Sequence, residues 1–341
     1  VVDALRKGAG ACTLALLCGA SGRVFNFSAG RTEVRREEGG WVKVFEDGFC
    51  ATDGTVLLSA KRGAYREGQA EVVLEGEVVV EDTAGSLRAG KVVYRMDEEV
   101  VEASGRVSGL YRGWKFRAEK AKYFRREGYV VAGGGVVLED TSGEVSARAL
   151  RGRYELEGRG YIEGEAVLTR TGAMLSADRI SSDGRSMVAE GEVLIKKGNM
   201  EATCGRAEYR EGKMLLVAGP SGSISEGEIE STLKGDTIEV FLRDSEVERL
   251  VLFGGAKLIS QGPKGSNFLS GRKIEVFIEG NEPKRVLVLG NAVGVYEAKG
   301  KNPSLNTVTG DRMEVVLSEG EVVRVGVAGG VEGTYRWRGK L

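Results

Sequence analysis

Three glutamate pairs, Glu75/Glu77, Glu163/Glu165 and Glu190/Glu192, are the side chains best spaced for acid–base work, each pair flanking one glycine. Paired carboxylates cleave glycosidic bonds when they converge across a cleft, one as acid and the other as base or nucleophile. A spacing of two along a strand puts both members on one face, and the parity of their apolar neighbours makes that the outer face. They read as a solvated surface with arginine partners. The rest of the chemistry is thin. The 341 residues include no histidine, which removes the commonest general base, the commonest metal ligand and every Ser-His or Cys-His nucleophile. GRGYIEG (158–164) lacks the dinucleotide-binding spacing and opens no helix. The expectation is a non-enzyme, with no catalytic residues, no metal and no cofactor; an enzyme acting on envelope polysaccharide is disfavoured because nothing converges.

Charge narrows the partners. Lys plus Arg is 49 and Asp plus Glu 50, interspersed, so no basic face is available for nucleic acid. Glycine is abundant, at 52 residues against 4 prolines, and 41% of the chain is hydrophobic. That excludes a disordered chain and fits short strands joined by tight turns. Residues 1–21 place Arg6 and Lys7 ahead of an apolar run ending in small residues. The pattern reads as a secretory signal or an uncleaved signal anchor, the run being shorter than the roughly 20 residues that span a bilayer. A lipoprotein reading of Cys18 meets Leu17 where a small residue is wanted. Beyond this segment Cys50 and Cys204 either pair or, the preferred reading, sit as small buried residues in strands.

The elements that position these residues repeat. Leu58, Ala60, Tyr65, Gly76 and Val78 recur 29 residues later as Leu87, Ala89, Tyr94, Gly105 and Val107, and again as Phe116, Ala118, Tyr123, Gly134 and Val136. The phrase then drifts through Ala149/Tyr154/Gly164, Leu175/Ala177/Gly191 and Ala202/Tyr209/Gly219. A second dialect follows: Leu233-Lys-Gly235 before Val240, Leu269-Ser-Gly271 before Val276, and Val308-Thr-Gly310 before Val315. Each of these leads to an arginine five residues before a glycine, at Arg249/Gly254, Arg285/Gly290 and Arg324/Gly329. A worn copy lies around Trp41–Val44, giving nine clear repeats behind it. Period-two alternation, as in Val101-Glu-Ala103-Ser-Gly105-Arg-Val107, predicts half-buried strands. The repeated glycine shares the parity of the inward residues, which predicts a line of inward glycines where the sheet bends, with clearance for a ligand as a compatible role. All four prolines follow residue 219. With the dialect change, they divide the chain into 1–21, a first half 22–219 and a second half 220–341.

The repeated phrase resembles the LptA/OstA-like family of periplasmic lipopolysaccharide-transport proteins. LSAKRGAYREGQAEVVLEGEVVV (58–80), LRAGKVVYRMDEEVVEASGRV (87–107), FRAEKAKYFRREGYVVAGGGVVL (116–138), LSGRKIEVFIEGNEPKRVLVLGNAVGVY (269–296) and VTGDRMEVVLSEGEVVRVGVAGGVEGTY (308–335) carry the resemblance. The stretch 43–68 is also similar to the LptC proteins. The resemblance implies an all-β repetitive jellyroll, or β-taco, in which stacked antiparallel strands form two facing sheets around a hydrophobic groove. It implies a periplasmic bridge that shields the acyl chains of lipopolysaccharide or a related glycolipid on the way to the outer membrane. It also implies partners at both ends: an inner-membrane ABC-transporter complex, an outer-membrane LptD-like protein or a further copy, joined by edge-strand addition. An inner-membrane-anchored LptC-like subunit is the alternative within the family. The chain is about twice the length of a single-domain LptA.

Under this reading the groove is lined by Val78, Val80, Val101, Val107, Val130, Val136, Leu138, Ile162, Leu168, Val193 and Ile195. Leu250, Leu252, Val286, Val288, Val325, Val327 and Val331 continue it. Such a surface removes a cost of about 0.8 kcal/mol per exposed methylene. Apolar alternation fits equally a structural or adhesive β-solenoid with a filled core, so groove and core stay open at this level. If each repeat gives one strand to each sheet, nine repeats at ~4.8 Å make a groove of ~40 Å.

Overall fold

The computed structural model describes residues 26–52, 57–81, 85–111, 113–124, 126–155, 158–299, 303–318 and 321–337. The leader expected at 1–21 lies outside them. Apart from one 3-10 turn at Glu67–Gln69, the regular elements are β-strands, and the pairs between them are antiparallel. The chain forms two compact units. One comprises the described residues through Thr171 with Arg179–Arg185, the other Gly172–Asp178 with Ser186 onward.

In the first unit Glu71–Glu81, Gly85–Arg95, Val100–Tyr111, Trp114–Phe124, Tyr129–Asp140, Val145–Glu155 and Gly160–Arg170 follow one another. They form an antiparallel meander. Each strand is bent in the middle. Glu71–Glu75 pairs with Arg62–Arg66, whereas Val79–Glu81 pairs with Leu57–Ser59. One half of every strand therefore joins an opening limb, which carries the Leu-x-Ala start of the repeats, and the other half joins a middle limb. The two limbs face each other. Leu58, Val78, Val80, Leu87 and Val107 of the opening limb share one buried cluster with Leu74, Val92, Tyr94, Val101 and Tyr123 of the middle limb.

The bend comes from the repeated glycine. All nine, from Gly76 to Gly329, have φ between +70° and +80°, and a neighbouring residue, such as Glu77 at +50° or Gly255 at +57°, is also left-handed. Two successive left-handed residues interrupt the extended backbone and re-aim the strand, as in a bulge. Space reinforces torsion at Gly76, where an added Cβ would lie 2.8 Å from Cβ of Lys61 on the adjoining strand. Asp47 and Gly48 repeat the pair beside the worn copy, with φ of +58° and +90°.

Two expectations need correction. The glycines do not face inward: Gly105 and Gly134 are exposed, and the space beside Gly76 and Gly134 is taken by the exposed side chains of Lys61 and Glu119. The two left-handed residues of the bulge turn the glycine itself outward, so simple alternation gives it the wrong face. A repeat also supplies two bent strands, hence two strands to each sheet, and the count of one strand per sheet is too low.

Four strands of the second unit are longer. Glu246–Gly262 and Glu282–Ala298 have 17 residues, Gly265–Glu279 and Ser304–Ser318 have 15, against 11 or 12 in the first unit's strands just named. Its bends fall at Gly254/Gly255 and Gly290/Asn291. Ala218/Gly219 separates Lys213–Val217 from Ser221–Glu226, and Gly329/Gly330 separates Glu321–Ala328 from Glu332–Trp337. Cys50 and Cys204 are both free, in the strands Phe49–Thr52 and Met200–Arg210. Burial pushes the Cys204 thiol pKa up, as expected of an inert small core residue.

Candidate functional site

Antiparallel register lines equivalent residues up in rows across the strands, and the inward rows define what each unit's interior can hold. In the first unit the second row of the middle limb runs Tyr65, Val72, Tyr94, Val101, Tyr123, Val130, Tyr154. The repeated tyrosine is thus an inward residue. Tyr94 and Tyr123 are 6% and 2% exposed, and their rings fill the space between the limbs.

The same row in the second unit opens with Met187, Tyr209 and Met214 and, past the dialect change, runs Val240, Leu250, Val276, Val286, Val315, Val325. The dialect change is a volume change: valine stands where the first unit has tyrosine, and Gly235, Gly271 and Gly310 where it has alanine. Between the walls lies a pocket lined by Leu233, Leu258 and Leu269 of the opening limb and by Val276, Val286, Val315 and Leu317 of the middle limb. Its enclosed space is about 30 Å³, room for about two waters and too little for an acyl chain until the walls part.

One row further toward the strand ends, the opening limb turns polar. Ser231, Ser260, Asn267 and Tyr296 pair in succession and line the same pocket. Ser231 and Ser260 hydroxyls lie 2.8 Å apart. The Tyr296 hydroxyl reaches the opposite wall and donates to Sδ of Met313 at 3.4 Å. Burial pushes its pKa up to about 12.

Of the residues expected to line a groove, Val78, Val80, Val101, Val107, Val136, Leu168, Val193, Leu250, Leu252, Val286 and Val288 are buried. Val130, Leu138, Ile162, Ile195 and Val327 are half-buried. Val325 and Val331 are exposed, at 38% and 55%. Val325 belongs to Glu321–Ala328, which covers the strand Ser304–Ser318, and Val331 follows the bend outside any strand. Sequence reasoning missed Leu87, Leu258, Leu269, Met313 and the polar row. Cross-strand register finds two of them, since Leu87 stands opposite Val80 and Met313 opposite Val288; the others stand opposite no residue of the expected lining.

The glutamate pairs lie on the outer face. Glu75 meets Lys91 at 2.7 Å, Glu77 meets Lys61 at 2.6 Å, and Glu163 meets Arg151 at 3.5 Å. Glu190 pairs with Arg206. The hydrogen bond from Lys91 holds the Glu75 carboxyl below its ordinary value. These are solvated cross-strand pairs that do not converge on a cleft. Among the described residues no group of three His, Cys, Asp or Glu side chains is placed to hold a metal ion, and no helix is long and apolar enough to cross a membrane.

No protein-family model matches the sequence, and no curated protein matches it. Among solved structures the chain is similar to LptH of Pseudomonas aeruginosa, described as the LptA-homologous periplasmic component of the lipopolysaccharide transport device. The match has 20% identity and a TM-score of 0.30, over 35% of this chain and 82% of that one. The WD40 domain of SCAP from fission yeast matches at 7% identity and a TM-score of 0.15, over 93% and 91% of the two chains. At these scores neither superposition assigns a role to this chain.

Proposed function

We propose that this protein is a non-enzymatic, periplasmic lipid-bridge protein. It shields the acyl chains of lipopolysaccharide or a related glycolipid between the limbs of its bent sheets, with the sugars outside. The observation that carries the reading is the second unit's pocket, walled mainly by apolar side chains of both limbs, with Glu226 and the polar row at its margin, in the stretch where valine replaces the repeat's tyrosine. Away from the bends the walls meet through side-chain packing and the weak Tyr296–Met313 hydrogen bond, so a chain enters by displacing weak contacts, and each buried methylene returns about 0.8 kcal/mol. Edge-strand addition to membrane partners at either end belongs to the same reading and follows from the family resemblance.

The test is binding of a fluorescent acyl probe to the purified full chain, followed by displacement with lipopolysaccharide. Saturable binding and full displacement are expected; a chain that takes up no probe would sink the proposal. The filled cluster of the first unit favours a second reading, a purely structural β-solenoid, and that outcome would select it.

A further inference from the structure

We propose that the second unit's groove selects acyl chains bearing an oxygen near the head group, a hydroxyl or an ester, through Tyr296, Asn267 and the Ser231/Ser260 pair. The inference rests on the groove reading above and adds the chemistry of the chain that fits.

Polar side chains facing an apolar interior are costly unless they find partners. In the first unit the row at the same register sets buried Trp114 and Val145 beside Asp140 and Arg170 at the strand ends, and the Asp140 carboxylate is satisfied locally by Ser142 and the Val145 N–H. In the second unit four consecutive positions of that row are hydroxyls or an amide, although the facing wall, with Val286, Val315 and Leu317, is apolar. The two serines satisfy each other at 2.8 Å. Tyr296 does not reach an oxygen: its hydroxyl donates to a thioether, a weak acceptor, across the groove from Met313. A ligand oxygen is a better acceptor than sulfur and takes the donor over as the chain enters. Asn267 stands beside Tyr296 in register and adds both donors and an acceptor.

Depth sets where on the ligand the oxygen must lie. Ser260 and Asn267 are each two residues from the strand ends at Gly262 and Gly265, or about 7 Å inside the rim. Below them Leu258 and Leu269 leave only apolar surface. A chain lying with its methyl end toward the bend therefore presents its head-proximal carbons to the polar row and its tail to the leucines.

The experiment is displacement of a fluorescent palmitate analogue from the full chain by palmitate and by 3-hydroxypalmitate. The hydroxylated acid is expected to compete about tenfold better. Tyr296→Phe keeps the ring, and is expected to bring the two acids within about twofold of each other without weakening palmitate; Ser260→Ala gives a partial loss of preference. Equal competition in the unaltered protein would overturn the selection while leaving the groove in place. A preference that survives both substitutions would overturn its assignment to this row. Failure of the analogue itself to bind would remove the groove reading and this inference together.

Discussion

The first unit's middle limb alternates tyrosine and valine along its inward row, while the second unit's keeps one tyrosine, Tyr209, and from Val240 onward runs valine and leucine. The bend that creates the two limbs is the same in both, built on a left-handed glycine and a left-handed neighbour. Scaffold and contents are therefore set by different letters of the repeat. Glycine fixes where the strand folds over, and the tyrosine position fixes how much room remains inside. Between Glu246 and Ser318 the second unit combines smaller side chains with longer strands, and these strands line the pocket and carry most of the polar row. A repeat can in this way keep its backbone and alternate between a packed segment and one that leaves a pocket.

Exchanging the tyrosine and valine positions breaks this comparison most severely. Tyr123→Val should cost about 3 kcal/mol in urea unfolding, because a ring 2% exposed leaves a cavity between the limbs. Val276→Tyr should cost about 2 kcal/mol by overpacking and lower acyl-probe affinity at least tenfold. Equal effects of the two substitutions on probe binding would contradict the division of labour. The bend should matter alike in both units. Gly76→Ala and Gly254→Ala each place a Cβ on a left-handed residue, 2.8 Å from Cβ of Lys61 and 2.8 Å from Cβ of Asp236 respectively. About 2 kcal/mol of stability is expected to go in each case, and a neutral result at either would show that its glycine is not the bend's determinant.

Tyr296 gives a pH signature confined to the second unit. Its folded pKa of about 12 exceeds the ordinary value near 10, so the folded state holds the proton more tightly. The stability contributed is complete below about pH 10 and is lost as pH rises toward 12. Comparing alkaline unfolding of the native chain with Tyr296→Phe should isolate that loss, and identical pH slopes would place the hydroxyl in solvent. The smallest effect belongs to the first unit's outer face. Hydrogen bonds from Arg95 and then Lys122 hold Glu102 below its ordinary carboxylate value. Its contribution is present above that value and fades as pH falls through the lowered pKa. Glu102→Gln should flatten the acid limb of the stability curve slightly, in keeping with a surface pair, which unfolding at a series of acidic pH values would detect.

Much of the fold is legible in the residues themselves. The recurrence of Leu58, Ala60, Tyr65, Gly76 and Val78 gives the strands and their order, and the glycine gives the bend. The direction of the glycine was not legible, because inward parity is the same on both sides of it, as at Val101, Ala103 and Val107, while the two left-handed residues turn Gly105 itself outward. Most of the apolar lining follows from alternation, as Val80, Val101 and Val288 show. Val325 and Val331 fall outside because burial depends on a covering strand, which alternation does not encode. The polar row escaped for a related reason: Ser231, Ser260, Asn267 and Tyr296 lie far apart in sequence and become one surface only through register.

The central claim is that an acyl chain lies in the second unit's groove and not in the first unit's packed interior. Photo-crosslinking tests it most directly, with the reactive side chain at Leu317 in the pocket wall or at Val130 beside the first unit's cluster. Incubated with lipopolysaccharide and irradiated, the protein is predicted to form lipid adducts from Leu317 and few or none from Val130. Adducts from Val130 alone, or from neither position, would contradict the account.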